Sequence, residues 1–254
     1  MKDFNTYKLN LSNAMKEKTF FLNKIDITEY DLIVDFGCGP GELLSIIAHK
    51  LPQPNYIKLL GFDTNQDMLR EGRNLTKGLD ITFTNKMSDI HSYLINKKKT
   101  LIIFSSVLHE IDEKNQKQII GNIMTKFNTV VIRDMHHPLT NEPIEKRTRK
   151  RILAQVAPWQ AEMFESRWGK IKDSKGLYRF FLMNEFVENF ETEVEEDYFG
   201  VLWDEISWYL DEKYLPIYEK KYTLPYRKEQ VKKRFNYVMH DITHRKVIYM
   251  KNGK

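Results

Sequence analysis

The residues Val34-Asp35-Phe36-Gly37-Cys38-Gly39-Pro40-Gly41-Glu42 decide the fold of this chain. The apolar residues before the first glycine predict a buried strand at Asp31–Phe36, and those after the last glycine predict a helix at Glu42–Lys50. Glycines in the connecting loop permit positive φ and let the backbone approach a ligand closely. A strand, a glycine loop and a helix in this order predict a ligand site at the carboxyl edge of a sheet.

The first 135 residues continue this alternation of strand and helix. Further strands are predicted at Ile57–Phe62, Ile81–Thr84, Leu101–Ser105 and Val130–Arg133, and further helices at Asn65–Asn74 and from about Glu113 to Lys126. Short connections of this kind favour parallel βαβ units, and strands that are apolar on successive residues suit a sheet covered by helices on both faces. The pattern therefore predicts an open, doubly wound α/β sheet.

The pattern changes after His137. A long helical stretch is predicted from Pro138 to Gly169, interrupted by Pro158, with further helices at Asn184–Asn189 and Leu202–Lys213. Late strands at Tyr214–Tyr222 and His244–Lys251, around a helix at Arg227–Met239, would extend the sheet at one edge. The predicted segments are an N-terminal helical cap (1–29), an α/β core (30–137), a mainly helical insertion (138–213) and a C-terminal β/α segment that completes the sheet (214–254).

Composition excludes several classes of protein. The 254 residues are 41% hydrophobic and 30% charged, which is ordinary globular composition. Cys38 is the only cysteine, so the chain has no internal disulfide framework and no cysteine-cluster metal site. Apolar runs are too short to cross a bilayer, and the N-terminus shows no secretory pattern. We expect a soluble, cytoplasmic protein that is not a membrane protein, with a net charge of +5.

Asp63 strengthens the prediction of a ligand site. It closes the second predicted strand, 22 residues after Gly41, where an acid can accept hydrogen bonds from ribose hydroxyls. The dinucleotide fingerprint G-x-G-x-x-G is not met, because the third glycine comes one residue early and Pro40 stands in the turn. A nicotinamide-dependent oxidoreductase is therefore disfavoured. Taken alone, the glycine pattern is also typical of any tight strand-to-helix turn.

Four segments together resemble the class I S-adenosylmethionine-dependent methyltransferase family. Asp35–Gly41 looks like its first motif, Gly61–Leu69 is similar to its second, Ser88-Asp89-Ile90 resembles its third, and Ser105–Ile111 resembles the segment after its fourth strand. The resemblance covers roughly residues 30–135. It implies a Rossmann-like, doubly wound, mostly parallel seven-stranded sheet with a helical insertion before the last two strands. It also implies S-adenosylmethionine as cofactor and S-adenosylhomocysteine as product.

The resemblance also implies roles for individual residues. The loop residues Gly37, Cys38, Gly39 and Gly41 would bound the cavity for the methionine part, and Asp35 would hold its amino end through the loop or water. Asp63 would bind ribose, with Thr64 and Met68 beside the sugar and adenine. Asp89 would meet the adenine amino group, with Ser88 or Ile90 against its ring, and Ser105 and Ser106 would lie near the sulfonium. Plain packing is the alternative for Thr64, Met68 and Ile90.

Methyl transfer needs an aligned acceptor and, where a proton is lost, a base. Histidine suits neutral pH. His109 is the first candidate, with Glu110 beside it after the fourth strand, and His136 and His137 follow the fifth. The alternative for His109 is a histidine that shapes the loop through hydrogen bonds. Neighbouring side chains in extended chain point apart, so we predict no metal site at Asp134, His136 and His137.

The acceptor is less well defined by the sequence. The Asn/Asp-Pro-Pro-aromatic motif of amine-methylating base methyltransferases is replaced by Ser-Ser-Val-Leu, and the one cysteine lies in the glycine loop, so cytosine C5 chemistry is disfavoured. We expect an O or N acceptor, with a small molecule favoured and the insertion as its lid. The alternatives are RNA or nucleotides, bound through Lys146–Arg151 and Lys228–Arg234, and a non-catalytic S-adenosylmethionine-binding partner subunit. The sequence does not define the oligomeric state.

Overall fold

Seven strands form one sheet in the computed structural model, which describes residues 15–52, 56–136, 142–184, 190–195, 200–240 and 242–252. They are β1 (Leu32–Phe36), β2 (Lys58–Phe62), β3 (Ile81–Thr84), β4 (Thr100–Ser105), β5 (Thr129–Met135), β6 (Tyr214–Tyr222) and β7 (His244–Lys251). Their order across the sheet is β3-β2-β1-β4-β5-β7-β6. The five strands from β3 to β5 are parallel, in a register that pairs Asp35 with Gly61 and Ile103.

The last two strands run in the opposite sense to their neighbours. The amide of Lys251 donates to the Asn128 carbonyl, and that of His136 donates to the Thr243 carbonyl, so β7 is antiparallel to β5. Bonds from Thr243 to Tyr222 and from Asn252 to Lys213 give the same relation between β7 and β6. The sheet is therefore mostly parallel with an antiparallel edge, which confirms the predicted α/β fold class.

The α-helices follow the strands in the α/β pattern. They are α1 (Glu42–Lys50), α2 (Gln66–Leu75), α3 (Met87–Leu94), α4 (Glu113–Asn122), α5 (Lys146–Leu153), α6 (Pro158–Trp168), α7 (Ser174–Met183), α8 (Phe190–Glu195), α9 (Trp203–Asp211) and α10 (Pro225–Phe235). Capping residues set several starts. The side chain of Asn65 accepts from the Asp67 and Met68 amides at the start of α2, and that of Asp112 accepts from Asn115 at the start of α4.

The described contacts divide the chain into two units, one of residues 1–134, 201–220 and 246–254, the other of residues 135–200 and 221–245. In the first unit, alternate residues of β1 enter two cores on opposite faces of the sheet. Leu32, Val34 and Phe36 belong to one, and Ile33 to the other. Coverage on both faces explains why the strands are apolar on successive residues. The second unit has its own core, which includes Phe164, Phe180, Phe181, Val231 and Phe235.

The later part of the chain departs from the sequence prediction. The long helical stretch is two helices, α5 and α6, and Pro158 begins the second one at a position that needs no amide hydrogen. The helices α3, α7 and α8 were not predicted. The insertion ends near Gly200 rather than at residue 213, because Trp203, Ile206 and Leu210 of α9 enter a core of the first unit.

Some predictions fall outside the described residues. These are residues 1–14 of the predicted cap at 1–29, residues 185–189 of the predicted helix Asn184–Asn189, and His137. The described part of the cap is helical at residues 15–18 and forms 3-10 helices at Phe20–Asn23 and Ile27–Glu29. Within the described part of the chain, no helix has the length and apolar character needed to span a membrane. The same residues contain no group of three or more His, Cys, Asp or Glu side chains that could hold a metal ion.

Candidate active site

The glycine loop joins β1 to α1 with three left-handed residues, Gly37 (φ 74°), Gly39 (φ 50°) and Gly41 (φ 76°). A Cβ on Gly37 would lie 2.3 Å from the Val107 side chain, and one on Gly41 would lie 2.6 Å from the Phe83 ring. Packing therefore requires glycine at both positions. At Gly39 a Cβ would meet no described atom within 4 Å. The backbone at Gly39 thus faces open space, as a ligand that approaches a main chain closely requires.

Asp63 ties this loop to the end of β2. One of its carboxylate oxygens accepts from the Gly39 amide at 2.8 Å, and the other accepts from the Asn65 amide at 2.8 Å. A carboxylate has about four acceptor positions, so these two bonds leave capacity for two hydroxyl donors. The side chain is half-buried, and the loop amides of Gly37 and Cys38 donate to the Phe62 carbonyl nearby. Asp63 is thus held in place beside Gly39, where the backbone faces open space.

Asp35 is a buried acid on β1 with 3% of its surface exposed. Burial raises the pKa of its carboxyl to about 7, the negative charge of Asp63 adds to the rise, and Lys18 opposes it. A titratable group with so large a shift beside a ligand loop is a functional-site candidate. Cys38, in the same loop, is also buried, and burial is the main cause that raises the pKa of its thiol. Its neutral thiol is therefore a poor nucleophile.

The shift at Asp35 predicts a pH-dependent stability of the ligand-free protein. The unfolded carboxyl has a pKa near 3.8 and the folded one near 7, so the folded state binds the proton more tightly. The contribution of this carboxyl to stability is therefore largest below pH 4, falls as the pH rises to about 7, and is constant above it. Asp35→Asn removes this slope. Between pH 4 and pH 7, we expect the free energy of unfolding of Asp35→Asn, relative to that of the wild type, to rise by at most about 1.4 kcal/mol per pH unit.

Urea unfolding of both proteins at pH 4.5, 6 and 7.5 measures this difference. Asp80→Asn is the matched control, because Asp80 is an exposed acid at the start of β3 whose partner is the surface residue Lys58. Parallel curves for the wild type and Asp35→Asn would contradict the burial of an ionisable group at this position.

The third predicted segment lies on α3. Thr84 donates its hydroxyl to a carboxylate oxygen of Asp89 at 2.5 Å, which fixes a half-buried acid at the carboxyl end of β3. Ser88 is exposed, as are Thr64 and Met68, the latter by 40%. Ile90 is different, because it lies inside a core with none of its surface exposed. Ile90 is thus a core residue, which agrees with the alternative of plain packing, and its contact with adenine stays a prediction.

The loop after β4 contacts the glycine loop through Val107, which fills the space beside Gly37. Ser105 is buried at the end of β4. Ser106 has a positive φ of 61°, which is strained for a residue with a side chain. Its amide donates to the Arg133 carbonyl at 2.8 Å, and its hydroxyl accepts from the Arg133 guanidinium. Arg133 did not enter the sequence prediction, although a lone arginine in the apolar strand Thr129–Met135 is a visible signal.

His109 and Asp134 form a buried pair. The Nδ1 atom of His109 lies 2.6 Å from one carboxylate oxygen of Asp134. The other oxygen accepts from the amides of Val107 at 3.1 Å and Leu108 at 2.8 Å. The carboxylate accepts hydrogen bonds only, so the proton of a neutral His109 belongs on Nδ1 and Nε2 is the acceptor. A carboxylate that orients a histidine in this way is typical of general-base pairs.

The environment of His109 sets its protonation. Burial alone lowers the pKa of this histidine, but the charge of Asp134 and the hydrogen bond to it outweigh burial and raise the pKa above the ordinary value. Glu110 is exposed, and its carboxylate lies 3.9 Å from Nε2. His136 is buried, and its amide donates to the Thr243 carbonyl.

Residues 33–130 match the family model described as a methyltransferase domain. Over 52 residues the chain is 42% identical to trans-aconitate 2-methyltransferase of Afipia carboxidovorans, a match that spans 20% of this chain and 19% of that relative. A methyltransferase of Anabaena variabilis, described as S-adenosylmethionine-dependent, has a similar structure, with a TM-score of 0.52, 12% identity, and coverage of 94% of this chain and 86% of that one. A mycolic acid cyclopropane synthase solved with S-adenosylhomocysteine is also similar, with a TM-score of 0.52 and 10% identity. The match covers 93% of this chain and 84% of that one.

The matched region contains the five parallel strands, the glycine loop, Asp63, Asp89 and the loop of His109. Residues 33–130 therefore match a methyltransferase domain, which confirms the resemblance to S-adenosylmethionine-dependent methyltransferases. The two solved structures share the fold over nearly the whole chain. The curated relative is matched over about a fifth of its length.

Proposed function

We propose that this protein is a methyltransferase that moves the methyl group of S-adenosylmethionine to an O or N atom of a small molecule. One observation carries the proposal: Asp63 has acceptor capacity left over beside the open backbone at Gly39. The match to the methyltransferase domain and the local similarity to an enzyme named for a small organic acid support the same conclusion.

The residues present fit the cofactor. Asp63 would accept from the ribose hydroxyls, and Asp89 would accept from the adenine amino group. Exposed Ser88, Thr64 and Met68 are accessible to the adenosine part. Asp35 would meet the positively charged amino group, either directly or through water, and this cation would favour its ionised form. When bound, the cofactor supplies an electrophilic methyl group on a sulfonium.

The chain's own contribution to chemistry would be orientation and proton removal. Nε2 of His109 would accept the acceptor's proton, and Asp134 would stabilise the imidazolium that forms. The hydrogen bonds from Val107 and Leu108 to Asp134 hold this pair rigidly relative to the loop that fills the space beside Gly37. Glu110, at 3.9 Å from Nε2, is suited to carry the proton towards solvent. The roles of Glu110 and His136 stay predictions, as does the insertion's role as a lid.

Calorimetric titration tests the binding half of this proposal. S-adenosylmethionine and S-adenosylhomocysteine should bind, and NAD should not. Transfer is then followed with methyl-labelled S-adenosylmethionine added to separate small-molecule and RNA fractions of a cell extract. Label in the small-molecule fraction supports the proposal, and label in RNA would favour the alternative that uses the basic residues of α5 and α10. Binding without transfer to either fraction would favour a non-catalytic subunit.

His109→Ala is expected to leave S-adenosylhomocysteine affinity unchanged and to lower methyl transfer by 10²-fold or more, because positioned bases contribute about 10² to 10⁴. The wild-type rate should rise with pH through the raised pKa of His109, since only the neutral ring accepts a proton. His49→Ala is the control, because His49 is an exposed histidine on α1 that bonds only its own helix. A variant with an unchanged rate and pH profile would exclude His109 as the base.

A further inference from the structure

Arg133 is a buried cation with an unusual environment. It lies on β5 with 6% of its surface exposed, and its guanidinium donates to the neutral hydroxyl of Ser106, its one side-chain partner within the described residues. Among the residues that the structure describes, no carboxylate pairs with its guanidinium, and its Nε has no hydrogen-bond partner. Burying an unpaired charge costs several kcal/mol, and buried arginines in folded proteins are normally paired.

Ser105 presents a second unsatisfied group beside it. Ser105 and Arg133 are register partners on the parallel strands β4 and β5. The hydroxyl of Ser105 is buried, and no described residue accepts from it or donates to it. Two neighbouring buried polar groups that lack partners are rare in native structures. Their shared position at the carboxyl edge of the sheet is where ligands of open α/β folds bind.

The charge of Arg133 and the hydroxyl of Ser105 together indicate which chemical group would bind beside them. Arg133 contributes one positive charge, and the nearby buried cation of β7, Lys246, already bonds Glu17 at 2.7 Å. A single guanidinium with a hydroxyl matches a singly charged, planar group, and the guanidinium fork fits the two oxygens of a carboxylate. A phosphate dianion would usually recruit a second cation or a nest of backbone amides.

We propose that Arg133 and Ser105 form a binding site for a carboxylate group. The site lies on the same unit as the glycine loop, so the carboxylate belongs either to the methyl acceptor or to the amino-acid end of the cofactor. The proposal deepens the proposed function and rests on it. It makes Arg133 a specificity-determining residue for a carboxylate, and it gives Ser105, which the family resemblance places near the sulfonium, a part in the same recognition.

The first arm of the test asks whether the carboxylate is that of the cofactor. Calorimetry compares S-adenosylhomocysteine with 5′-methylthioadenosine, which lacks the amino-acid part, on the wild type, Arg133→Met, Arg133→Lys and Ser105→Ala. If the carboxylate is the cofactor's, Arg133→Met should weaken S-adenosylhomocysteine by at least about tenfold, Arg133→Lys by less, and neither should change 5′-methylthioadenosine. Equal weakening of both ligands would mean a merely structural arginine and would overturn the proposal.

The second arm asks whether the carboxylate is that of the methyl acceptor. Thermal unfolding of the protein saturated with S-adenosylhomocysteine is measured with acetate and succinate and with their amides. If the carboxylate is the acceptor's, the acids but not the amides should raise the wild-type midpoint, and Arg133→Met should abolish that rise. Arg149→Met is the control in both arms, because Arg149 already pairs with Glu165.

The two arms separate failure of the site from failure of the function. If Arg133→Met behaves as the wild type in both arms, the carboxylate site is wrong, even where S-adenosylhomocysteine binds. If the wild type binds neither S-adenosylhomocysteine nor 5′-methylthioadenosine, the proposed function is wrong. In that case the second arm is read on the ligand-free protein, where a rise in midpoint with the acids that Arg133→Met abolishes would still support the site.

Discussion

Asp63→Ala is expected to weaken the binding of S-adenosylhomocysteine by more than tenfold. The substitution removes the acceptor of the Gly39 amide in the glycine loop and that of the Asn65 amide before α2, together with the positions that would accept from ribose. Hydrogen bonds to a charged group contribute about 1.5–3 kcal/mol each, so the loss of even one to the ribose exceeds a factor of ten. Calorimetric titration of the variant and the wild type measures the ratio.

Two further variants show which of these contributions is lost. Asp80→Ala removes an acid of equal charge at the start of β3, and its affinity should equal that of the wild type. Asp63→Asn keeps one oxygen acceptor, but its side-chain NH2 group would face one of the two backbone amides that donate to Asp63. Its affinity should therefore lie between those of the wild type and Asp63→Ala. An Asp63→Ala variant with wild-type affinity would show that the ribose assignment is wrong.

Asp134→Ala is expected to reduce the free energy of unfolding by about 3–5 kcal/mol, the usual effect of removing one partner from a buried charged pair. The carboxylate is completely buried, and its loss leaves the amides of Val107 and Leu108 and the Nδ1 of His109 without their acceptor. Unsatisfied buried donors are the main cause of the effect. Urea unfolding at pH 7.5 measures it.

Asp112→Ala is the matched control for this variant. Asp112 caps α4 at the surface, so its loss should reduce stability by only about 1 kcal/mol. Where Asp134→Ala does not fold, Asp134→Asn gives the same information, because the amide keeps one acceptor oxygen and should show an intermediate loss. Equal effects of the Asp134 and Asp112 substitutions would contradict the role of Asp134 as the buried anchor of the His109 loop.

Local sequence patterns predicted many elements closely. The helix Glu42–Lys50 and the strands Ile81–Thr84, Tyr214–Tyr222 and His244–Lys251 have the predicted bounds. Their signals are local: glycines end the first strand, and apolar residues recur with a helical period or follow one another in a buried strand. The acid at Asp63 was equally readable, because it closes a strand at a fixed distance from the glycine loop.

The misses have physical causes that lie beyond a local window. Helix α3 contains serine, aspartate and histidine residues with weak helical preference, and the bond from Thr84 to Asp89 supports its first turn. Pro158 was interpreted as an interruption, yet a proline is well placed at the first position of a helix. Helix α9 was assigned to the insertion, but burial of Trp203 and Ile206 places it in a core of the first unit.

The sequence by itself determined the class of this protein, because the glycine loop and Asp63 lie in short motifs whose spacing is set along the chain. Only the tertiary structure paired His109 with Asp134, 25 residues away, and placed Ile90 in a core. It also brought Ser105 beside Arg133 without a described counter-charge. Partners and burial depend on which strands become neighbours in the sheet, and that order is decided by packing over the whole unit.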